Sequence, residues 1–215
     1  KNLGSLEIKF LKNELDKINI KSIYFTSNPY KEKAPTLNKF SKFKSKVYFI
    51  DLTKEIDEIY NNFSTNLKRN IRKREKKNEI NNSVGESISC KNLLSVYKKN
   101  LKRINLLSRQ LYSFKSLKFL VRNKNNLIVQ SKIDNEIVAV SIFILTKYNA
   151  YYLSHFANDK FNYLSSKHIF EAIKILKKKK IRLLNLGGPV IDRPGIEKFK
   201  LSFNPIIKNL VEYKL

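Results

Sequence analysis

The stretch LLNLGGPVIDRPGIEKFKLSF, residues 183–203, decides how the rest of the chain is read. Leu183, Leu184 and Leu186 form a short apolar run that reads as a buried strand, and it stops at Gly187-Gly188-Pro189. Two successive glycines allow a backbone conformation closed to other residues, or close approach of a ligand to the main chain. Pro194-Gly195 then opens a short helix carrying Ile196, Phe199 and Phe203 on one face, with Lys198 and Lys200 among these apolar positions. Two readings follow. One is a strand–turn–helix connection with solvated lysines. The other is a reaction site at the end of a strand, with Lys200 facing developing negative charge.

The neighbouring elements separate these readings. Residues 164–178 have helical spacing, with Ile169, Phe170, Ile173 and Leu176 inward and Ser165 and Ser166 near the start. Before them lie three strands at 127–133, 137–145 and 150–156, separated by the tight turns Asp134-Asn135 and Lys147-Tyr148-Asn149: an antiparallel meander. Residues 206–213 read as a closing strand. Upstream, helices are predicted over 91–108 and from a Ser113 cap to residue 121, with a short strand at 86–90.

Residues 53–60 read as a helix with Thr53 as N-cap and acids in the first turns. Ser64 caps a second helix, 65–78, which contains KRNIRKREKK. Leu67 and Ile71 are its buried stripe, while Arg69, Arg72 and Lys76, three or four residues apart, share another face. Residues 47–52 and 20–25 are predicted strands, 30–45 an exposed lysine-rich loop, and 3–18 an amphipathic helix.

The chain has 215 residues, 42% of them hydrophobic, enough for a proper core, so a folded chain is expected. One cysteine, Cys90, rules out an intrachain disulfide framework and fits a reducing compartment. Two histidines and one cysteine are too few for a zinc site, so no metal is expected. No apolar run is long enough to span a bilayer and no signal peptide is visible, so a cytoplasmic location is expected. The sequence does not open with Met, and an N-terminal region before it is expected. Forty-four Lys and Arg against 18 Asp and Glu give a formal charge of +26. Such a surface attracts polyanions, whether RNA, anionic lipid or phosphorylated substrates.

The order meander, helix, strand, short helix, strand is similar to the GNAT acyltransferase fold. The fold class expected is therefore α/β (α+β), a mixed, mainly antiparallel sheet flanked by helices. Two motifs sharpen the match. Asn66-Leu67-Lys68-Arg69-Asn70-Ile71-Arg72-Lys73 resembles the "LRRNIRKAEK" helix of FemAB-like proteins. Asn185-Leu186-Gly187-Gly188, followed by Gly195-Ile196-Glu197-Lys198-Phe199-Lys200 and Phe203, resembles their "DLGG…GLYRFKRGFG" segment. That family comprises aminoacyl-tRNA-dependent peptidyltransferases of peptidoglycan assembly and GNAT relatives acting on other amines. The resemblance implies that 51–215 is a FemAB-like GNAT transferase domain and 1–50 the tail of a degenerate GNAT-like N-terminal half. The chain departs from the pattern at Asn185, where the family often has Asp, and at Asn204-Pro205, where it has Gly. A long two-helix arm is also lacking.

The resemblance implies an N-acyltransferase or aminoacyltransferase that forms an amide on an amine of a cell-envelope precursor or amino-sugar. By position, Lys200 carries the transfer step, with Phe199 beside it and Gly187 and Gly188 shaping the pocket floor. GNAT enzymes bind the donor on the amides at the N-terminus of the helix after the meander, where the dipole favours phosphate, so the resemblance implies a donor, acyl-CoA or aminoacyl-tRNA, at Tyr163, Ser165, Ser166 and Lys167. The usual acetyl-CoA glycines are missing there. Lys68, Arg69, Arg72 and Lys76 are candidates to clamp the phosphates of a nucleotide-linked amine acceptor, a lipid carrier or a tRNA. His155, at a strand end near the donor slot, is a candidate general base, and His168, early in the donor helix, a candidate to face phosphate. The carboxylates offer no pair at catalytic spacing. The competing readings are an acetyl-CoA-dependent GNAT enzyme on another small amine, and a non-catalytic GNAT-like module that binds RNA or an anionic membrane surface through its charge.

Overall fold

The computed structural model describes residues 24–26, 41–75, 81–84, 88–103, 112–190 and 193–214. The elements run β1 (Tyr24–Thr26), β2 (Ser41–Asp51), α1 (Ile56–Asn62), α2 (Thr65–Glu75), β3 (Asn81–Val84), α3 (Cys90–Arg103), α4 (Phe114–Arg122), β4 (Asn126–Ile133), β5 (Glu136–Leu145), β6 (Asn149–Ala157), a short 3-10 turn (Asp159–Leu164), α5 (Ser165–Lys178), β7 (Leu183–Asn185), α6 (Pro194–Leu201) and β8 (Ile206–Lys214). The predicted helix at 3–18 and Lys76 lie outside the described residues.

All described strands join one eight-stranded sheet in the order β1-β8-β2-β7-β6-β5-β4-β3. Every pairing is antiparallel except β6 with β7. The meander forms as its sequence dictates. Asp134 and Asn135 both take positive φ, 47° and 63°, the backbone of a tight two-residue hairpin turn. Along β4, Leu127 and Val129 enter one core while Ile128 enters the other, because side chains alternate across a strand. The first core holds Ile59 of α1, Leu67 and Ile71 of α2, and Ile169, Ile173 and Leu176 of α5. The second holds Leu93, Val96 and Tyr97 of α3 with Leu117 and Leu120 of α4. Burying Leu67 and Ile71 favours the docked basic helix by roughly 1.5–3 kcal/mol each. No described helix is long and apolar enough to cross a membrane.

Four local expectations are corrected. β2 begins at Ser41, inside the predicted loop, because pairing with β8 from Ser41↔Lys214 to Phe49↔Ile206 supplies the order that its polar sequence does not advertise. Thr53 does not cap a helix: its amide and hydroxyl both donate to Asp51 Oδ1, at 2.9 and 2.6 Å, closing a turn at the end of β2. α1 starts later, at Ile56. Of the strand expected at 86–90, residues 86–87 lie outside the described residues and 88–90 lead into α3 instead, while Asn81–Val84 forms an unexpected edge strand held by backbone pairing to β4. Ile88 is buried in the second core and Ser89 caps α3, accepting from the Asn92 amide at 3.1 Å. The Ser64 and Ser113 caps form as predicted, accepting from the amides of Leu67 and Ser116.

Candidate functional site

β7 is only three residues long and touches β6 only over Asn149–Tyr151. Beyond that point the strands part. β6 runs on to Ala157, while the chain after β7 stays with β2: the Leu186 amide donates to the Tyr48 carbonyl at 2.8 Å, and the Tyr48 amide to the Gly187 carbonyl at 3.2 Å. A cleft of about 1240 Å³ opens where they separate. Its walls are β6 (Tyr151, Tyr152, Leu153, His155), the start of α5 (Ser165, Ser166), α2 (Asn66, Leu67, Asn70) and the segment from Leu186 to Ser202.

The Gly-Gly turn is specified at both positions. Gly187 has φ 78°, and its amide donates to Asn185 Oδ1 at 2.7 Å. A Cβ on Gly188 would sit 2.7 Å from the Lys46 carbonyl oxygen, a main-chain atom of β2 that cannot swing aside. Asn185 therefore supplies an acceptor to the turn, which a neutral amide oxygen does as well as a carboxylate.

α6 brings Lys200 to this turn. Its side chain is buried, and Nζ donates to the Gly188 carbonyl at 2.5 Å. A Cβ placed on Gly187 would lie 3.4 Å from Lys200 Nζ and 3.5 Å from the Tyr151 hydroxyl, so both polar tips converge on the glycine. Burial lowers the Lys200 pKa from the ordinary lysine value, and Glu197 acts in the opposite sense. Glu197 itself accepts a hydrogen bond from the hydroxyl of fully buried Tyr48. Burial first, and this carboxylate second, push Tyr48 up to about 12. An aromatic series fixes α6 against the core: Phe199 meets Phe203 at 5.3 Å, Phe203 meets Phe63 at 5.1 Å, and Phe63 meets Phe170 at 6.0 Å.

His155 lines the cleft, and its Nδ1 lies 2.8 Å from Ser141 Oγ. His168, expected from its place early in α5 to face phosphate, is turned away from the helix start and the cleft. It points at the sheet, fully buried, with Nδ1 2.9 Å from Ser141 Oγ and Nε2 2.7 Å from Ser131 Oγ. Desolvation, then the neighbouring His155, hold it well below the ordinary histidine value.

The other predicted residues divide. Tyr163, Ser165, Ser166, Gly187, Gly188 and Phe199 line the cleft with Lys200 and His155. Lys167 is not in its lining; the side chain is buried and ion-paired to Glu171 at 3.0 Å. Lys68, Arg69 and Arg72 are not in the lining either. Lys68 Nζ donates to the Asn61 carbonyl at 3.0 Å, Arg72 Nε to the Tyr60 hydroxyl at 3.1 Å, and Arg69 is exposed. The face that α2 turns to the cleft carries Asn66 and Asn70, one turn apart. These two, with Tyr151, Arg193 and Lys198, line the cleft but were not among the site residues expected from the sequence. The only signal for the pair is Asn at i and i+4 within a run dominated by cations.

No family model matches the chain, and no curated protein matches it. Solved structures do. The C-terminal domain of a proposed lysylphosphatidylglycerol synthetase from Agrobacterium fabrum is 16% identical, with a TM-score of 0.63 over 81% of this chain and 61% of that one. FemX is 12% identical, with a TM-score of 0.64 over 95% of this chain and 68% of that one. L-PGS from Bacillus licheniformis is 14% identical, with a TM-score of 0.58 over 81% and 62%. The chain thus spans about three fifths of the length of the first of these. At such identities the likeness is one of architecture. The fold is GNAT-like, a mixed and mainly antiparallel sheet flanked by helices, and these three structures share it.

Proposed function

We propose that the protein is an N-acyltransferase or aminoacyltransferase that forms an amide on an amine of a cell-envelope precursor or amino-sugar. The observation that carries this reading is the buried Lys200 ammonium at the wall of the cleft, fixed on the Gly188 carbonyl. The likeness to FemX and to a lysylphosphatidylglycerol synthetase supports it at the level of fold.

In the reaction, the acceptor nitrogen attacks the donor carbonyl carbon and a C–N bond forms. The C–O bond of an aminoacyl ester, or the C–S bond of a thioester, breaks. The nitrogen gives up a proton and the leaving oxygen or sulfur takes one. Negative charge collects on the carbonyl oxygen between these events, and a preorganised cation beside that oxygen lowers the barrier. Lys200 holds this role, with Phe199 fixing its helix. His155, oriented by Ser141, is the proposed base for the nitrogen. Tyr163, Ser165 and Ser166 form the donor side, for aminoacyl-tRNA or acyl-CoA, and the site of action is the cytoplasm.

Lys200→Ala, with the fold checked by near-ultraviolet circular dichroism, is expected to reduce transfer roughly 100- to 1,000-fold, the usual loss for one oxyanion partner. Unchanged turnover removes Lys200 from the mechanism. Thermal-shift titrations with acyl-CoA and with aminoacyl-tRNA identify the donor, since only a ligand of the native state raises the melting temperature. A second reading rests on the formal charge of +26: a non-catalytic module on RNA or an anionic membrane. It requires binding that falls steeply with salt and no stabilisation by either donor.

A further inference from the structure

Four polar side chains form a line from the cleft into the molecule. His155 of β6 stands on the cleft wall, while Ser141, His168 and Ser131 are fully buried and lie outside its lining. The fold brings them together. Ser141 sits opposite His155 in the β5–β6 ladder, Ser131 lies on the neighbouring strand β4, and His168 comes down on them from the start of α5. The contacts are continuous. His155 Nδ1 is 2.8 Å from Ser141 Oγ, which is 2.9 Å from His168 Nδ1, and His168 Nε2 is 2.7 Å from Ser131 Oγ. Ser141 also hydrogen-bonds the buried Tyr152 hydroxyl.

Proton counting constrains this line. A serine hydroxyl has one proton and two lone pairs, and a neutral imidazole carries its proton on one nitrogen only. Burial keeps both the Tyr152 phenol and His168 neutral. With Tyr152 donating to Ser141, the serine satisfies its other two contacts by accepting from one Nδ1 and donating to the other. The two imidazoles therefore hold opposite tautomers. His155 Nε2 is shielded from solvent, so Ser141, and not bulk water, sets the tautomer of that ring.

We propose that Ser131 and His168 are positioning residues that fix, through Ser141, the tautomer of His155. His168 carries its proton on Nε2 and donates to Ser131, Ser141 donates to His168 Nδ1, and His155 donates from Nδ1 to Ser141. The Nε2 lone pair of His155 is then left to take the proton of the attacking nitrogen, and the resulting imidazolium keeps its Nδ1 proton on Ser141. The direction of the chain rests on the acyl-transfer reading above; the coupling of the two rings does not.

The test is spectroscopic. The sequence has two histidines, so long-range proton–nitrogen spectra of protein labelled with nitrogen-15 histidine read each tautomer separately, at about pH 8. The wild type is expected to carry the proton on Nδ1 of His155 and on Nε2 of His168. Ser131→Ala withdraws the partner of His168 Nε2. The His168 proton is then expected on Nδ1, Ser141 donates toward His155, and the His155 proton moves to Nε2. Turnover is expected to fall at least about tenfold with KM within about twofold, and Ser131→Thr, which keeps the hydroxyl, to retain the wild-type spectrum and turnover. The same tautomer on both rings of the wild type, a measurement that needs no variant, overturns the coupling. So does an unmoved His155 in Ser131→Ala, whatever its turnover. A proton on Nε2 of wild-type His155, or full turnover after its tautomer has moved, overturns the direction. Transfer by Lys200→Ala is read separately: turnover retained there removes Lys200 from the transfer step and leaves the coupling standing.

Discussion

The amide of Gly187 donates to Oδ1 of Asn185 at 2.7 Å, so the last residue of β7 shapes the turn that follows it. The position needs an acceptor, with or without charge. Asn185→Asp is therefore expected to keep the fold and the cleft. Asn185→Leu leaves the buried Gly187 amide without that partner and is expected to cost about 1–3 kcal/mol. Urea unfolding of the two variants checks the difference.

Gly188 meets a harder limit. A methyl group there would stand 2.7 Å from the Lys46 carbonyl oxygen, and relief requires the turn to move away from β2. That movement carries the Gly188 carbonyl off Lys200. Gly188→Ala is expected to lose roughly 1–3 kcal/mol, the range for overpacked sites, and also to lose transfer activity. Gly195→Ala, where a Cβ meets nothing within 4 Å, is the control expected to keep its stability within about 0.5 kcal/mol.

The pH dependence of transfer follows from Lys200. Burial lowers its pKa from 10.5, so the ammonium loses its proton at a lower pH than an exposed lysine does. Turnover is expected to fall on an alkaline limb below 10.5, and Lys200→Arg to remove that limb. Stability moves the other way. Between the lowered value and 10.5 the unfolded chain binds more protons at this site than the native one, so its contribution to stability rises with pH. A pH–rate profile beside a pH–stability profile separates the two.

His168 predicts behaviour in acid. It is held well below 6.5 in the native state by burial, so below 6.5 the unfolded chain takes up a proton that the native chain refuses. Stability is expected to decline as pH falls through this range. Ser141→Ala removes the partner shared by the two Nδ1 atoms and is expected to cost roughly 1–3 kcal/mol at neutral pH. Chemical denaturation from pH 5 to 8 is the measurement.

Much of the fold was legible because its signals are local. The meander announces itself through alternation and through Asp134-Asn135, and Ser64 and Ser113 sit where caps belong. The misread segments are those whose order comes from elsewhere. Ser41 to Lys46 alternates lysine with serine and phenylalanine, and only β8, from the far end of the chain, makes it a strand. Asn81–Val84 has no apolar period, and its edge pairing to β4 rests on backbone groups that any sequence supplies.

The site divides on the same principle. Gly187 and Gly188 were legible as a turn because a positive φ and a close main-chain contact call for glycine, while Lys200 came from the resemblance, since its burial is not written in the sequence. The basic run of α2 drew attention to charge, while the cleft receives its asparagines. A helix has several faces, and a sequence does not say which one a distant turn will close against. Arg193 was hidden for the same reason: nothing before the fold ties it to β6.

β2 carries a consequence for how the protein is made. Its two neighbours, β7 and β8, lie far downstream of it in the chain, beyond the meander and α5. The meander and α3 can assemble while the chain is still emerging, but Val47, Tyr48, Phe49 and Ile50 must wait, apolar and unpaired, until β7 and β8 have been made. Non-local strand pairing is slow and leaves edges open to wrong partners. A stalled or truncated product missing β8 would therefore expose its central strand and become a target for chaperones and proteases.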